Sequence, residues 1–269
     1  MLIGINDIND ERIAVFYRIN ERQLRLSAEY GDGVFVAESA LVINRALDKG
    51  YEPVSFMIME GSYDEYAHIF KRIDHDLPIY EASEEVFKSL KGFVLIKGII
   101  GLFKRKKEAD ANALLQRAKR ICVLENVQNP TNIGAIFRNA AALYCDGIIL
   151  SDDCADPLYK RSIRVSMGNV FNIDWCYLPK NEFLSTLKAA GFKTVSFALR
   201  DHSVDIQDEK LNKEEKLAII MGSEGYGLNP LTIDNSDYVV RIATNSQVDS
   251  LNVASASGIA LWQLCKNNH

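Results

Sequence analysis

The sequence predicts an α/β protein in two parts, a small α/β region followed by a larger domain built on a parallel sheet. Three observations carry this. Five largely apolar runs occupy residues 121–124, 147–150, 194–198, 217–221 and 238–242. Helical stretches separate most of them, and largely apolar strands alternating with helices indicate a parallel sheet covered on both faces. The first hundred residues instead alternate short apolar runs with amphipathic stretches, the pattern of a smaller α/β unit.

In chain order, residues 34–37 read as a strand, and Ser39 is placed to cap a helix that runs to about Lys49, where Gly50 stops it. Residues 53–59 form a second strand, 63–73 a helix and 78–80 a short strand, and Ser83 opens another helix. Residues 103–119 are charged and helix-prone and read as a basic linker. The expected division is therefore 1–102, a linker at 103–119, and 120–269.

Of the 269 residues, 48% are hydrophobic and 25% charged, the balance of a globular protein. No apolar run approaches the ~18 residues needed to cross a bilayer. The first residues lack the basic flank and apolar core of a signal peptide, so a cytoplasmic protein without membrane contact is expected. The five cysteines form no CxxC pair and lie near none of the four histidines at zinc-ligand spacing; reduced thiols and no metal are expected. The net charge of −5 argues against a nonspecific nucleic-acid coat. Its distribution is uneven: residues 1–100 carry 11 basic and 17 acidic groups, whereas residues 101–120 carry 7 and 2. The positive charge thus concentrates around Lys104, Arg105, Lys106 and Lys107, a local patch that could meet a phosphate backbone or equally form a solvated helix.

Ligands on parallel sheets bind beyond the carboxyl ends of strands, so the residues after each strand are where chemistry is sought. After residues 121–124, Glu125 leads through a polar turn into a helix whose N-cap is expected at Asn132. Ile133, Ile136, Phe137, Ala140, Ala141 and Tyr144 form its apolar stripe. Arg138 lies off that stripe, free to face a cleft or simply solvent. Met221 is followed by Gly222-Ser223-Glu224-Gly225-Tyr226-Gly227-Leu228. Three glycines in six residues allow close backbone approach to a ligand, although a tight turn would also use them. The segment is neither a Walker loop nor GxGxxG. Ile242 leads through a polar loop to Ser250-Leu251-Asn252-Val253 and a helix rich in small residues, which permit close packing.

Together, Asn132-x-Gly134-x-x-x-Arg138, Gly222-x-Glu224-Gly225-x-Gly227-Leu228 and Ser250-Leu251-Asn252-Val253 resemble the three signature motifs of SpoU/TrmH RNA ribose 2′-O-methyltransferases, in the right order. Arg164-Val165-Ser166-Met167-Gly168 resembles the arginine-serine-glycine stretch found between the first two. The match spans residues 120–269. It departs where Ala243, Thr244 and Ser246 stand in place of the usual Ile-Pro-Met start and following glycine. The first hundred residues resemble, by length and α/β alternation, the L30e/L7Ae-like substrate-binding domain that precedes many such catalytic domains.

The resemblance implies a trefoil-knotted SPOUT domain, a homodimer packed through the knots, and S-adenosylmethionine as cofactor. Met221, Gly222, Gly227, Ile242 and Leu251 would hold that cofactor, mainly through backbone groups. It also implies RNA as substrate, ribosomal RNA before transfer RNA, with Lys104, Arg105, Lys106, Lys107 and Arg164 contacting it. Arg138 is the implied catalytic arginine, supported by Asn132, Glu224, Ser250 and Asn252. A guanidinium holds its proton far above neutral pH, which suits polarising the hydroxyl and clamping a phosphate better than abstracting a proton. The alternatives are a knotted methyltransferase acting on an RNA base and a catalytically inactive RNA-binding or ribosome-assembly protein.

Overall fold

The computed structural model describes residues 1–27, 30–89, 98–223, 225–245, 247 and 250–266. The chain divides by its contacts into two compact units, Met1–Lys107 with Leu158–Phe171, and Glu108–Pro157 with Asn172–His269.

The first unit contains β1 (Leu2–Ile5), α1 (Ala14–Tyr17), α2 (Glu21–Arg25), β2 (Val34–Glu38), α3 (Ala40–Asp48), β3 (Pro53–Met59), α4 (Tyr63–Phe70), β4 (Ile79–Ala82), α5 (Glu84–Ser89) and β5 (Ile99–Lys104). Its sheet runs β1-β4-β3-β5-β2, parallel across β1, β4 and β3 and antiparallel where β5 meets β3 and β2. Gly101 belongs in β5 for a packing reason: a Cβ there would lie 2.6 Å from the Phe103 ring and 2.9 Å from that of Phe56. Ser39 precedes α3 as expected, but with φ of 79° its side chain makes no capping bond.

The boundary differs from the one expected. Residues 103 and 104 finish β5, with Phe103 opposite Phe35 and Lys104 opposite Val34. The Arg105 N–H then donates to the Gly33 carbonyl at 2.8 Å. The remainder of the expected linker, α6 (Ala111–Arg117), is a core helix of the second unit, because Leu114 and Leu115 form a fully buried face beneath its polar residues.

Residues 158–171 are a second correction, since the sequence placed them in an uninterrupted catalytic domain. They carry α8 (Lys160–Val165) and pack within the first unit. Phe171 sits 5.5 Å from the Phe35 ring and 5.0 Å from that of Tyr51. Arg45 donates to the Met167 carbonyl, and the Lys160 N–H donates to the Glu21 carboxylate. Arg164 lies 3.6 Å from Glu38.

The second unit continues with β6 (Arg120–Glu125), α7 (Pro130–Ala142), β7 (Gly147–Ser151), β8 (Trp175–Leu178), α9 (Phe183–Ala189), β9 (Lys193–Phe197), β10 (Val204–Asp205), α10 (Glu209–Lys213), β11 (Leu217–Gly222), α11 (Pro230–Asp234), β12 (Tyr238–Arg241) and α12 (Val253–Cys265). Its seven strands run β10-β12-β9-β11-β6-β7-β8, and every pairing is parallel. Both faces are covered, as the apolar runs predict. Ile121 and Val123 enter one core with Leu115, Phe183 and Leu187, and the alternate residues Cys122 and Leu124 are also fully buried. α12 packs on α7 and reaches β11 and β6 in the middle of the sheet. Arg120 fastens its end there, donating from Nε to the Leu264 carbonyl at 2.9 Å and from Nη2 to that of Glu214 at 2.9 Å.

The Phe171 anchor can be measured directly. Phe171→Ala is expected to destabilise the first unit by roughly 3 kcal/mol or more, the scale of a buried phenylalanine truncation, read as a lower urea midpoint. A loss near zero would show that residues 158–171 are not held there by packing.

Candidate active site at the carboxyl ends of the parallel strands

The ends of β9, β11 and β12 open into a cavity of about 340 Å³, lined by residues of the second unit alone. Its floor is apolar, with Phe197, Leu228, Ile233, Val240 and Val253. Its walls come from the loops that leave the three strands. This volume falls within the ~300–1,000 Å³ of ordinary ligand sites.

The loop after β11 is shaped by its glycines. A Cβ on Gly222 would overlap the backbone of Gly227 and Leu228, so only glycine permits that approach. Gly227 takes φ of 67°, and its N–H returns to the Ser223 carbonyl at 2.9 Å. Tyr226 projects from the tip, 91% exposed, and also lines the cavity. Asn229 then caps α11 through the Leu231 N–H, with Pro230 in the first turn, where no donor is needed.

Glu125, at the end of β6, ties this loop to the neighbouring strand. Although only 1% exposed, its carboxylate accepts from the Asn229 N–H at 3.3 Å and from Thr232 Oγ1 at 3.2 Å. Burial pushes its pKa upward against those two hydrogen bonds, which favour the charged form.

α7 begins one turn earlier than expected. Asn129 is its N-cap, accepting from the Thr131 N–H at 2.9 Å, and Pro130 occupies the first helical position. Asn132 therefore lies inside the helix and is buried, and its Oδ1 accepts from Asn252 Nδ2 at 3.2 Å. Asn252 is the N-cap of α12 and accepts in turn from the N–H groups of Ala254 and Ser255. Further along α7, Asn139 donates to the Ala254 carbonyl and to Ser257 Oγ, both at 2.9 Å. The small residues of α12 thus accommodate α7 of the same chain.

The sequence-derived candidates divide into groups. Met221, Gly222, Gly227, Ile242, Leu251 and Ser250 all line the cavity. Asn132 and Asn252 meet each other at the start of the loop-bearing helix. Arg138 is exposed on α7, makes no hydrogen bond or ion pair with a described residue, and is not among the cavity-lining residues. Glu224, like Ser246 in the third motif, lies outside the described residues. Lys104, Arg105, Lys106, Lys107 and Arg164 belong to the first unit. Lys104 is paired with Glu52 at 2.6 Å, and Lys106 donates to the Lys49 carbonyl while lying over the Tyr51 ring. None of the five is among the residues that line the cavity.

Sequence reasoning passes over Leu199, Arg200 and Arg241, which also line it, and gives no role of their own to Tyr226 and Thr244 within the second and third segments. The strand at 194–198 is legible in the sequence, so the rule that ligands sit beyond strand ends reaches Leu199 and Arg200 when applied there. Glu125 gives no signal, because its burial follows from a long-range contact.

The sequence model of the SpoU rRNA Methylase family matches residues 119–262. The chain belongs to that family. An uncharacterized tRNA/rRNA methyltransferase of Mycobacterium bovis is 31% identical over 98% of this chain and 91% of its own length. The 23S rRNA (guanosine-2′-O-)-methyltransferase RlmB of Acinetobacter baylyi is 28% identical over 71% of this chain and 79% of its own. Among solved structures, an AdoMet-bound rRNA methyltransferase from Sinorhizobium meliloti superposes with a TM-score of 0.83 at 24% identity, covering 98% of this chain and 97% of that one. An RNA 2′-O ribose methyltransferase gives 0.78 at 24%, covering 99% of each. At these identities the superpositions establish a shared fold.

The Asn132–Asn252 bond joins the first motif of this SpoU family member to its third. In a double-mutant cycle, Asn132→Ala and Asn252→Ala are expected to be non-additive by roughly 0.5 kcal/mol or more, as for residues in direct contact. Asn252→Ala should be the costlier single change, since it also removes a helix cap worth about 1 kcal/mol. Strict additivity in chemical denaturation would refute the link.

Proposed function

We propose that this RNA methyltransferase moves a methyl group from S-adenosylmethionine to a ribose 2′-hydroxyl of RNA, with the cavity after β9, β11 and β12 as its cofactor site. The observation that carries the reading is the convergence of the second and third motifs on one cavity, with the first motif bonded to the third through Asn132 and Asn252. The donor set suits this cofactor. Apolar side chains can enclose an adenine, and the glycine-shaped turn at Gly222 and Gly227 lets backbone groups approach it closely. Met221, Gly222, Gly227, Ile242 and Leu251 would hold it.

When bound, the cofactor supplies an electrophilic sulfonium methyl group, so the protein's task is largely positioning. Arg138 polarises the ribose hydroxyl and clamps a neighbouring phosphate with its planar fork. Asn132, Ser250 and Asn252 would orient Arg138, the ribose and the motif loops, and Glu224 belongs to the same group by its motif position. Ribosomal RNA is the favoured substrate, supported by relatives named as 23S rRNA guanosine-2′-O-methyltransferases in Bacillus subtilis and Acinetobacter baylyi.

The reading extends to assembly and topology. α12 leaves Ile259 and Trp262 exposed while Val253, Ser257, Ala260, Leu261 and Leu264 are buried, which supports a homodimer through that helix. The trefoil knot is carried over from the family resemblance, with α12 seated on α7, β6 and β11. The five-stranded mixed sheet is in keeping with an L30e/L7Ae-like fold for the first unit, whose role would then be to bind the RNA substrate. No described helix is long and apolar enough to cross a membrane.

Two experiments test the reading. S-adenosylhomocysteine at ~100 times its Kd should raise the melting temperature by about 5 °C or more, since a ligand selective for the folded state contributes ~2.7 kcal/mol there. Gly222→Ala should abolish the shift; a wild-type protein that shows none at millimolar ligand would overturn the cofactor assignment. Arg138→Ala should bind the same ligand unchanged and lose methyl transfer by ~100-fold or more, the scale of a lost acid–base or positioning group. Near wild-type transfer would remove Arg138 from the chemistry.

A further inference from the structure

The proposed function fills the depth of the cavity and leaves its rim unassigned. Two arginines stand there. Arg200 follows β9 and Arg241 ends β12, neighbouring strands with Phe197 opposite Val240. Both residues are exposed, and both line the cavity. No acidic residue appears among the described residues lining it.

Arg200 is held in place by a tight turn. Its N–H donates to Ser203 Oγ at 3.0 Å, Ser203 Oγ donates to the Ala198 carbonyl at 2.9 Å, and the Ser203 N–H returns to the Arg200 carbonyl at 3.0 Å. The guanidinium itself makes one bond, from Nη1 to the Leu199 carbonyl at 3.0 Å. The Arg241 guanidinium makes no hydrogen bond or ion pair with a described residue, while its backbone is held in the sheet opposite Asp205 of β10, its carbonyl accepting from the Ile206 N–H at 3.1 Å. Each arginine has five N–H donors in a planar fork matched to phosphate oxygens. Most of those donors are directed to no described protein group.

A ribose carries a phosphate on either side. Any nucleotide that presents its 2′-hydroxyl to the cavity therefore brings two anions to the rim at once. The exposure of both arginines fits a backbone arriving from solvent better than a group enclosed with the cofactor. We infer that Arg200 and Arg241 hold the phosphates flanking the target ribose, one of them shared with Arg138, and so set the register of the RNA strand over the cavity. This rests on the 2′-O-methyltransferase reading.

The test uses the full-length protein and an unmodified transcript of large-subunit ribosomal RNA, with binding measured from about 50 to 200 mM salt. The double variant Arg200→Gln with Arg241→Gln should bind this RNA about tenfold more weakly at the low-salt end. The slope of log K against log salt should become shallower by roughly 1.4, at ~0.7 for each single-strand phosphate that is no longer neutralised. The corresponding double lysine variant should keep most of the slope and lose part of the affinity, because lysine keeps charge without the fork. S-adenosylhomocysteine affinity should be unchanged in both.

An unchanged RNA slope in the glutamine variant would overturn the inference. So would a loss of S-adenosylhomocysteine affinity with RNA binding intact, which would assign the arginines to the cofactor's carboxylate. If the wild-type protein itself fails to bind S-adenosylhomocysteine, the cofactor reading falls instead, and the RNA slope still judges the two arginines.

Discussion

The site depends on one side-chain amide. Asn252 accepts from two backbone N–H groups at the start of α12 and donates to Asn132 inside α7. The same group therefore starts the C-terminal helix and fastens it to a helix 120 residues earlier. Closing so long a loop costs entropy that grows only slowly with its length, and the close seat of α12 on α7 offsets it. Ser257 and Gly258 leave room for Asn139 to reach the α12 backbone. Once α12 is seated, the loop preceding it has a fixed end, and Ser250 and Leu251 take their places at the cavity.

Backbone conformation shapes this cavity more than side-chain chemistry does. Gly222 and Gly227 approach within a distance that no other residue allows at position 222. Glu125 holds the outgoing helix of the same loop, and its buried carboxylate tolerates that position because a backbone N–H and a hydroxyl satisfy its oxygens. A loop pinned at both ends presents donors and acceptors already in position, so little reorganisation is needed when a ligand arrives.

The two units are joined by three chain crossings rather than by one flexible tether, because residues 158–171 leave the second unit to pack in the first. This also changes the meaning of the basic segment. Lys104 is matched by Glu52, and Lys106 is committed to a carbonyl and an aromatic face. Part of the most conspicuous charge run in the sequence thus stabilises the end of β5, whereas isolated arginines at strand ends border the cavity.

Periodicity and composition were enough to determine the parallel sheet, the apolar stripe of α7 from Ile133 to Ala140 and the position of Arg138 off that stripe, whereas Tyr144, expected in the stripe, lies beyond the helix and is exposed. Each depends on residues within one helix or strand, where spacing alone decides which side chains share a face. The glycine turn after β11 was legible for the same reason. Other features were decided only by tertiary structure. Leu114 and Leu115 look like part of a charged linker until β6 and α9 supply the core they enter. Asn132 looks like a cap until Pro130 starts the helix earlier and Asn252 arrives from the far end of the chain. Residues 158–171 read as part of the catalytic half until Phe171 finds Phe35 and Tyr51. Pro130 is a local signal for the earlier helix start, but Asn252, α9 and the rings of Phe35 and Tyr51 lie far along the chain, and no local pattern encodes a contact whose other half is that distant.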